Sequence, residues 1–193
     1  MGFLDALLGR STPRKANLDD LFALPPAALP LEVASGLRPT GTAAVAFREV
    51  EGGAFAQVEQ ESRALIAKDP ACTVRQENDG YGYTWQVITD ADADISNLVT
   101  NVHAVNSSLE IQGFGPMLLC STLYFADVEG TQAALVYLYK RGTFYPFVQT
   151  GRHTRDTARE IQIRGIVSQE LRIESDLSKW SPVWDAPGMH PAG

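Results

Sequence analysis

The side chains able to do nucleophilic or acid–base chemistry are few in this sequence and scattered along it. Three histidines occur, His103, His153 and His190. His103 lies four residues before Ser107, and side chains at that spacing on a helix can touch. A serine beside an imidazole could begin a hydrolase site, but no acid is positioned in the sequence to orient the base. We therefore predict no catalytic residues, and keep as an alternative an uncharacterised enzyme that uses this pair on helix 94–112.

Metal-binding and phosphate-binding patterns are also missing. Cys72 and Cys120 are far apart and form no Cys-x-x-Cys pair, so neither a zinc site nor a disulfide framework is indicated. Asp90, Asp92 and Asp94 alternate, yet the glycine and the distal glutamate of a calcium loop are absent. Acids before a helix are favoured by the positive end of its dipole, which explains them sufficiently. We expect no metal and no cofactor.

Charge is unevenly distributed along the chain. The net charge of −7 argues against a general nucleic-acid binder, and we expect no nucleic-acid partner. Residues 140–172 hold seven basic and three acidic side chains, hence +4, which leaves −11 for the rest. This segment is either a basic patch for an acidic partner or anionic surface, or a solvated face with compensating acids elsewhere. Its candidate contacts are Lys140, Arg141, Arg152, Arg155 and Arg159.

The two ends of the chain supply further candidate contacts. Four apolar side chains share one face of a predicted amphipathic helix over residues 1–9: Phe3, Leu4, Leu7 and Leu8. A helix this short needs an apolar surface, which could be its own domain, a membrane surface or a groove in a partner. The proline-interrupted tail, residues 176–193, contributes Trp180 and Trp184.

The chain shows no stretch of about 18 apolar residues. Its start lacks the basic region, the long apolar region and the cleavage site of a secretory signal. The two cysteines without a disulfide pattern fit a reducing compartment. We therefore expect a cytoplasmic protein, with a possible peripheral contact at the inner face of the cell membrane.

Hydrophobic periodicity predicts one α+β domain over residues 17–175, after an amphipathic N-terminal segment and linker over residues 1–16 and before the tail 176–193. Three main helices are expected: residues 54–68, about 95–112 with Asp94 as N-cap, and about 155–170 with Thr154 as N-cap. The buried side of the third helix is expected to include four residues: Ala158, Ile161, Gly165 and Ile166.

Strands are expected over residues 28–34, 41–49, 72–78, 81–89, 117–126, 132–140 and 144–147. The first two would form a hairpin, Asn78-Asp79-Gly80 would turn the second pair, and 144–147 would be an edge strand because Pro146 cannot donate to a ladder. Helices that lie between hairpins favour a largely antiparallel sheet over a doubly wound parallel one.

Segments along nearly the whole chain resemble the PspA-associated protein PspAB family of actinobacteria and related prokaryotes. The longest is LVYLYKRGTFYPF at residues 135–147. The others are residues 1–10, 21–25, 81–85, 103–109, 113–116 and 180–188. The resemblance offers no catalytic residues that can be transferred to this chain.

The resemblance implies a role in the phage-shock envelope-stress response, in which the coiled-coil protein PspA remodels and protects the inner membrane. Family members look to be encoded near an HtpX-like membrane metalloprotease, which suits a binding or adaptor protein. The expected partners are therefore a PspA-type coiled-coil protein or an HtpX-like protease. A further alternative is a chaperone-like domain that binds a client helix.

Overall fold

The computed structural model describes residues 17–48 and 51–189. The α-helices of these residues, numbered in chain order, are α1 (Leu24–Ser35), α2 (Gly53–Ile66), α3 (Ile95–Ile111) and α4 (Thr157–Val167). Four helices are thus present in the described part of the chain where three main ones are expected. The predicted helix over residues 1–9, with Phe3, Leu4, Leu7 and Leu8, lies outside the described residues.

The strands of the described residues form one seven-stranded sheet in the order β2-β3-β1-β4-β5-β6-β7, and all neighbouring strands are antiparallel. They are β1 (Arg38–Phe47), β2 (Cys72–Asn78), β3 (Thr84–Asp90), β4 (Leu118–Ala126), β5 (Gln132–Leu138), β6 (Thr143–Gly151) and β7 (Thr154–Arg155). The predicted α+β class with a largely antiparallel sheet is confirmed.

The four helices cover one face of this sheet. α3 lies across β1 and β3, α4 packs on β6, α1 packs beside α4, and α2 packs on α3. The apolar spacing of this helix predicts a core stripe of six residues, of which five are buried and the first, Ile95, is partly exposed: Ile95, Leu98, Val99, Val102, Val105 and Leu109. As expected, the Asp94 carboxylate caps this helix and accepts a hydrogen bond from the Ser96 N–H at 2.8 Å. The predicted helix over 54–68 corresponds to α2.

The expected strand over residues 28–34 is wrong, because this stretch belongs to α1. Pro25 and Pro26 occupy the first turn of the helix, where N–H groups have no intrahelical partner and a proline costs little. The helix ends at Gly36, which adopts φ +73° and donates its N–H to the Glu32 carbonyl at 2.9 Å. The two prolines therefore begin a helix, and β1 pairs with β3 and β4 instead of with residues 28–34.

The short edge strand expected at 144–147 is part of the longer strand β6, which has partners on both sides. Along its outer side, the N–H of Phe144 bonds to the Arg172 carbonyl, and the N–H of Val148 bonds to the Glu160 carboxylate. Pro146 lies between them on the same side of the ladder, so its missing N–H leaves no donor unpaired.

The predicted cap and buried side of the last helix are wrong. Asp156, not Thr154, caps α4, accepting from the Arg159 N–H at 2.8 Å. The buried side chains of α4 are Glu160, Ile163 and Val167, whereas the expected ones are partly or mostly exposed: Ala158, Ile161, Gly165 and Ile166. The difference arises because a carboxylate, Glu160, occupies the core side of this helix.

The other face of the sheet is partly covered by the tail. Residues 176–189 contain one 3-10 turn, Leu177–Lys179, and are otherwise irregular. The Trp180 ring stacks on Tyr145, with centroids 6.1 Å apart. Further along, Gly188 adopts φ +100°, and a Cβ there would lie 2.7 Å from the Tyr124 ring. Only glycine allows the tail to approach the sheet this closely.

Candidate functional site: an aromatic cleft between the β2–β3 hairpin and the tail

A cleft of about 580 Å³ opens on the tail-covered face of the sheet. One wall comes from the β2–β3 hairpin: Asp79, Tyr81, Tyr83 and Trp85. The opposite wall comes from the tail: Ser181, Pro182, Val183 and Trp184. The floor comes from three central strands: Leu119, Cys120, Leu138 and Tyr145. We call it the aromatic cleft; its size is within the range of ligand-binding pockets.

The hairpin wall is held by one carboxylate. Asp79 accepts hydrogen bonds from the N–H groups of Tyr81 at 2.8 Å and Tyr83 at 2.9 Å, and from the Trp85 indole at 2.9 Å. These bonds create a loop over residues 79–83, so β3 begins three residues later than the expected 81–89 strand. The acid of the cleft is therefore engaged in holding its wall.

The tail wall is fixed by four polar contacts to the rest of the domain. The Tyr145 hydroxyl donates to the Ser181 carbonyl at 2.6 Å, and Arg155 Nη1 donates to the Trp180 carbonyl at 2.9 Å. Gln149 and Asp185 exchange two bonds, from amide to carboxylate at 3.0 Å and from backbone N–H to amide oxygen at 3.1 Å. The cleft is consequently preformed, which lowers the entropic cost of binding.

The floor is apolar in character and carries no charge near neutral pH. Burial raises the pKa of the Cys120 thiol to about 12, and burial likewise raises the pKa of Tyr145 far above its usual range. Both groups stay protonated, so the floor holds no thiolate and no phenolate. The cleft can accept aromatic and aliphatic groups. Neither the Cys120 thiol nor the Tyr145 hydroxyl is ionised to act as a nucleophile there.

The serine–histidine pair of the sequence acquires an acid in the fold. Ser107 Oγ lies 3.4 Å from His103 Nδ1, and His103 Nε2 lies 3.3 Å from Asp19 Oδ1, on the 3-10 turn Leu18–Ala23. Both contacts are long, and the Asp19 side chain is 76% exposed. The aromatic cleft does not include these residues. Ser107 lies inside α3, where backbone N–H groups are used in helical hydrogen bonds and so do not form an oxyanion hole.

The candidate basic residues are divided between structural and exposed roles. Arg141 pairs with the buried Glu174, and Arg155 pairs with the buried Glu160. Arg159 donates to the Ser35 carbonyl at 3.0 Å and lies 3.5 Å from Asp127. Glu174 and Asp127 lie outside residues 140–172 and offset two of the four net positive charges of that segment, in which Glu160 is already counted. The remaining two, Lys140 and Arg152, are exposed. Their assignment to a partner or membrane contact stays a prediction.

The two tryptophans of the tail lie at the cleft in different ways. Trp180 is buried, and its indole N–H donates to the Glu174 carbonyl at 3.0 Å. Trp184 is half-buried, lines the cleft and contacts Phe147 edge-on with centroids 5.2 Å apart. Trp184 is thus available to a ligand, while Trp180 supports the wall.

A second polar cluster joins β2 to α3. The Asn97 amide donates to Asp69 and Asp90, both at 2.8 Å, and the Cys72 thiol lies beside both carboxylates. Burial, followed by the two acids, raises the pKa of Cys72 to about 11. Among residues 17–48 and 51–189, no group of three or more His, Cys, Asp or Glu side chains is arranged to hold a metal ion.

The hairpin wall has a signal in the sequence, although its residues are not among the predicted contacts. Tyr81, Tyr83 and Trp85 alternate, and alternate residues of extended chain point to the same side. What the sequence does not show is the tail that faces them.

Within the described part of the chain, none of the helices has the length and apolar character needed to cross a bilayer.

The fold and cleft define a class of protein: a single-sheet α+β domain with helices on one face and a preformed cleft for apolar groups on the other. The family model "PspA associated protein B" (PspAB) matches residues 1–188. The chain therefore belongs to the PspAB family, as the sequence resemblance implies. No curated protein and no solved structure matches the chain.

Proposed function

We propose that this PspAB protein is a non-enzymatic adaptor that binds a PspA-type coiled-coil protein through the aromatic cleft. One observation carries the proposal: the cleft presents aromatic and aliphatic side chains to solvent, whereas its principal polar groups are used in intramolecular hydrogen bonds. The family name, which records an association with PspA, supports the choice of partner.

The physical basis of binding is burial of apolar surface. A cleft of about 580 Å³ has room for more than one large apolar side chain. Fully burying a leucine, isoleucine or phenylalanine side chain contributes about 1.5–3 kcal/mol. A coiled-coil helix carries such side chains at regular spacing. Aromatic anchors such as Trp184 and Tyr83 are the side chains that dominate interface energies.

Three features favour a binding role over the alternative of an enzyme. The Ser107–His103 and His103–Asp19 contacts are 3.4 and 3.3 Å long, lie outside the aromatic cleft, and end on an Asp19 side chain that is 76% exposed. The Cys120 thiol on the cleft floor is protonated at neutral pH because burial raises its pKa to about 12. In addition, the cleft walls are fixed by internal hydrogen bonds, which suits recognition.

We also propose a cellular location and a second partner for this protein. We propose a cytoplasmic protein that contacts the inner face of the cell membrane through Phe3, Leu4, Leu7 and Leu8, with the exposed Lys140 and Arg152 adding electrostatic attraction. One weak apolar anchor gives only reversible attachment, so a second contact strengthens it. An HtpX-like membrane protease is the second partner we propose.

Replacing one residue in either wall of the aromatic cleft by aspartate should weaken binding of the PspA-type protein encoded by the same genome. We expect Tyr81→Asp and Val183→Asp each to raise the dissociation constant at least about tenfold, because a carboxylate would be buried against an apolar partner. Tyr81 is 64% exposed, so its substitution spares the fold. Isothermal titration calorimetry measures the effect, and thermal unfolding verifies that each variant is folded.

Leu177→Asp is the matched control, since Leu177 is an exposed apolar tail residue outside the cleft lining. It should bind as the native chain does. Parallel titrations with a detergent-solubilised HtpX-like protease and with anionic vesicles test the proposed second partner and the proposed membrane contact. Binding of the PspA-type protein that is unaffected by both cleft substitutions would contradict the assignment of the cleft.

A further inference from the structure

The aromatic cleft carries a charge that its hydrogen bonds do not neutralise. Among the described residues that line the cleft, Asp79 has the one charged side chain, and it is partly exposed. Its three hydrogen-bond donors are uncharged groups: the N–H groups of Tyr81 and Tyr83 and the Trp85 indole. Within the described part of the chain, none of the ion pairs includes Asp79. The hairpin wall is therefore a source of negative potential inside the cleft.

The Asp79 carboxylate has capacity for a further hydrogen bond. A carboxylate offers about four acceptor positions on its two oxygens. Oδ1 accepts from two backbone N–H groups, whereas Oδ2 accepts one hydrogen bond, from the Trp85 indole at 2.9 Å. The negative charge also acts on the floor of the cleft: burial, and after it the charge of Asp79, raise the pKa of the Cys120 thiol. A positively charged donor that enters the cleft therefore meets both an acceptor and an attractive potential.

Aromatic rings line the same cleft and add to this attraction. Three of them are partly or largely exposed: Tyr81, Tyr83 and Trp184. The face of an aromatic ring is negative and attracts a cation within about 6 Å of its centroid. Two rings on this side of the sheet already attract cations of the chain itself. The guanidinium carbon of Arg48 lies 5.7 Å from the Tyr83 centroid, and that of Arg155 lies 5.1 Å from the Phe147 centroid. Neither arginine is among the residues that line the cleft.

The floor of the cleft favours a cation that carries an aliphatic stem. Leu119 and Leu138 are apolar floor residues, and the Cys120 thiol beside them stays uncharged at neutral pH because its pKa is raised to about 12. A small inorganic cation would lose its hydration against such a surface without compensation. Lysine and arginine side chains instead bury their methylene stems on apolar surface and keep the charged head with polar partners. The chemistry of wall and floor together therefore matches a basic side chain.

We propose that the part of the aromatic cleft beside Asp79 is a subsite for one lysine or arginine side chain of the partner. This inference rests on the proposed function, because the partner is the PspA-type coiled-coil protein. In coiled coils, charged residues flank the apolar stripe, so one helix can place a basic side chain beside Asp79 and apolar side chains in the rest of the cleft. A glutamate at the same flanking position would be repelled, so Asp79 selects which stretch of the partner binds.

The test changes the charge of the cleft at Tyr81, because Asp79 also holds the hairpin wall. Tyr81→Asp and Tyr81→Lys replace the same side chain, which is 64% exposed, by opposite charges. Calorimetric titration with the PspA-type protein should show Tyr81→Lys binding at least about tenfold more weakly than Tyr81→Asp, because lysine repels the incoming cation and competes for Asp79. A cleft that takes apolar groups alone would be weakened alike by both charges. Leu177→Lys, at an exposed residue outside the cleft lining, should bind as the native chain does.

A second titration tests the subsite without the partner. n-Butylguanidinium and its uncharged analogue n-butylurea are added to the full chain, and the indole N–H resonances of Trp85 and Trp184 are followed by NMR. We expect saturable shifts with butylguanidinium, and binding at least about tenfold weaker for butylurea and for butylguanidinium on Tyr81→Lys.

The subsite is overturned if butylguanidinium does not bind, if butylurea binds equally well, or if the PspA-type protein binds Tyr81→Lys and Tyr81→Asp equally. A different result contradicts the proposed function itself: binding of the PspA-type protein that neither Tyr81→Asp nor Val183→Asp weakens. In that case the guanidinium titration still decides whether the cleft holds a cation subsite.

Discussion

Replacement of Arg155 by methionine is expected to lower the free energy of unfolding by about 3–5 kcal/mol, because it leaves a buried carboxylate without its counter-ion. Arg155 donates to Glu160 Oε1 at 2.9 Å and to Oε2 at 2.7 Å, and Glu160 is completely buried. The same guanidinium donates to the Trp180 carbonyl. The substitution therefore also removes one support of the tail wall.

Urea unfolding followed by tryptophan fluorescence measures this effect. Arg152→Met, at an exposed arginine three residues earlier, should change stability by no more than about 0.5 kcal/mol. The double variant Arg155→Met/Glu160→Leu should regain a large part of the loss, because it removes the unpaired charge. A loss below about 1 kcal/mol for Arg155→Met would show that the pair does not hold the domain together.

Acidification is expected to remove about 3 kcal/mol of stability through Glu174 alone. Its hydrogen bond from Arg141, together with donors from Thr143 and Asp176, lowers the pKa of Glu174 from 4.5 to about 2. A carboxyl whose pKa is lower in the folded state contributes stability above its ordinary pKa. That contribution is lost as the pH falls from about 4.5 to about 2. At 1.36 kcal/mol per unit, the difference amounts to about 3 kcal/mol.

The pH dependence of Glu174→Gln isolates this contribution from other acids. We expect the variant to be less stable than the native chain at pH 7 and to approach it as the pH falls toward 2. The exposed Glu170→Gln serves as the control and should follow the native curve. A constant difference between the Glu174→Gln and native curves from pH 7 to pH 2 would contradict the assignment.

Helices and strands in which apolar residues recur at one regular spacing could be predicted from the sequence, with bounds close to those in the structure. The stripe of α3 from Leu98 to Leu109 and its cap at Asp94 are of this kind. The sequences of β4 and β5 are continuous apolar runs, which indicate strands covered on both faces. In the structure, helices cover one face of these strands and the tail covers part of the other. These predictions depend only on local spacing and therefore hold.

Elements that depend on distant partners could not be predicted in the same way. Pro25 and Pro26 are compatible with either a stop or a start, and only the burial of Leu24 and Leu31 decides for a helix. Glu160 resembles a solvated helix residue in the sequence. Its burial depends on Arg155 and on the N–H of Val148, which local spacing does not connect to it.

The candidate site was accessible from the sequence only in part. Trp184 is named among the tail residues, and the structure places it on a wall of the cleft. The alternation of Tyr81, Tyr83 and Trp85 marks the opposite wall. Their convergence could not be predicted, because more than 90 residues separate hairpin from tail and the contact is made across the face of a seven-stranded sheet.

The most direct test of the central claim is hydrogen–deuterium exchange of the full chain with and without the PspA-type coiled-coil protein of the same genome. If the aromatic cleft is the contact, backbone amides of residues 79–85 and 181–184 should become protected on binding, with protection lost in Val183→Asp. Protection confined to other parts of the chain, with these two segments unchanged in the complex, would contradict the account.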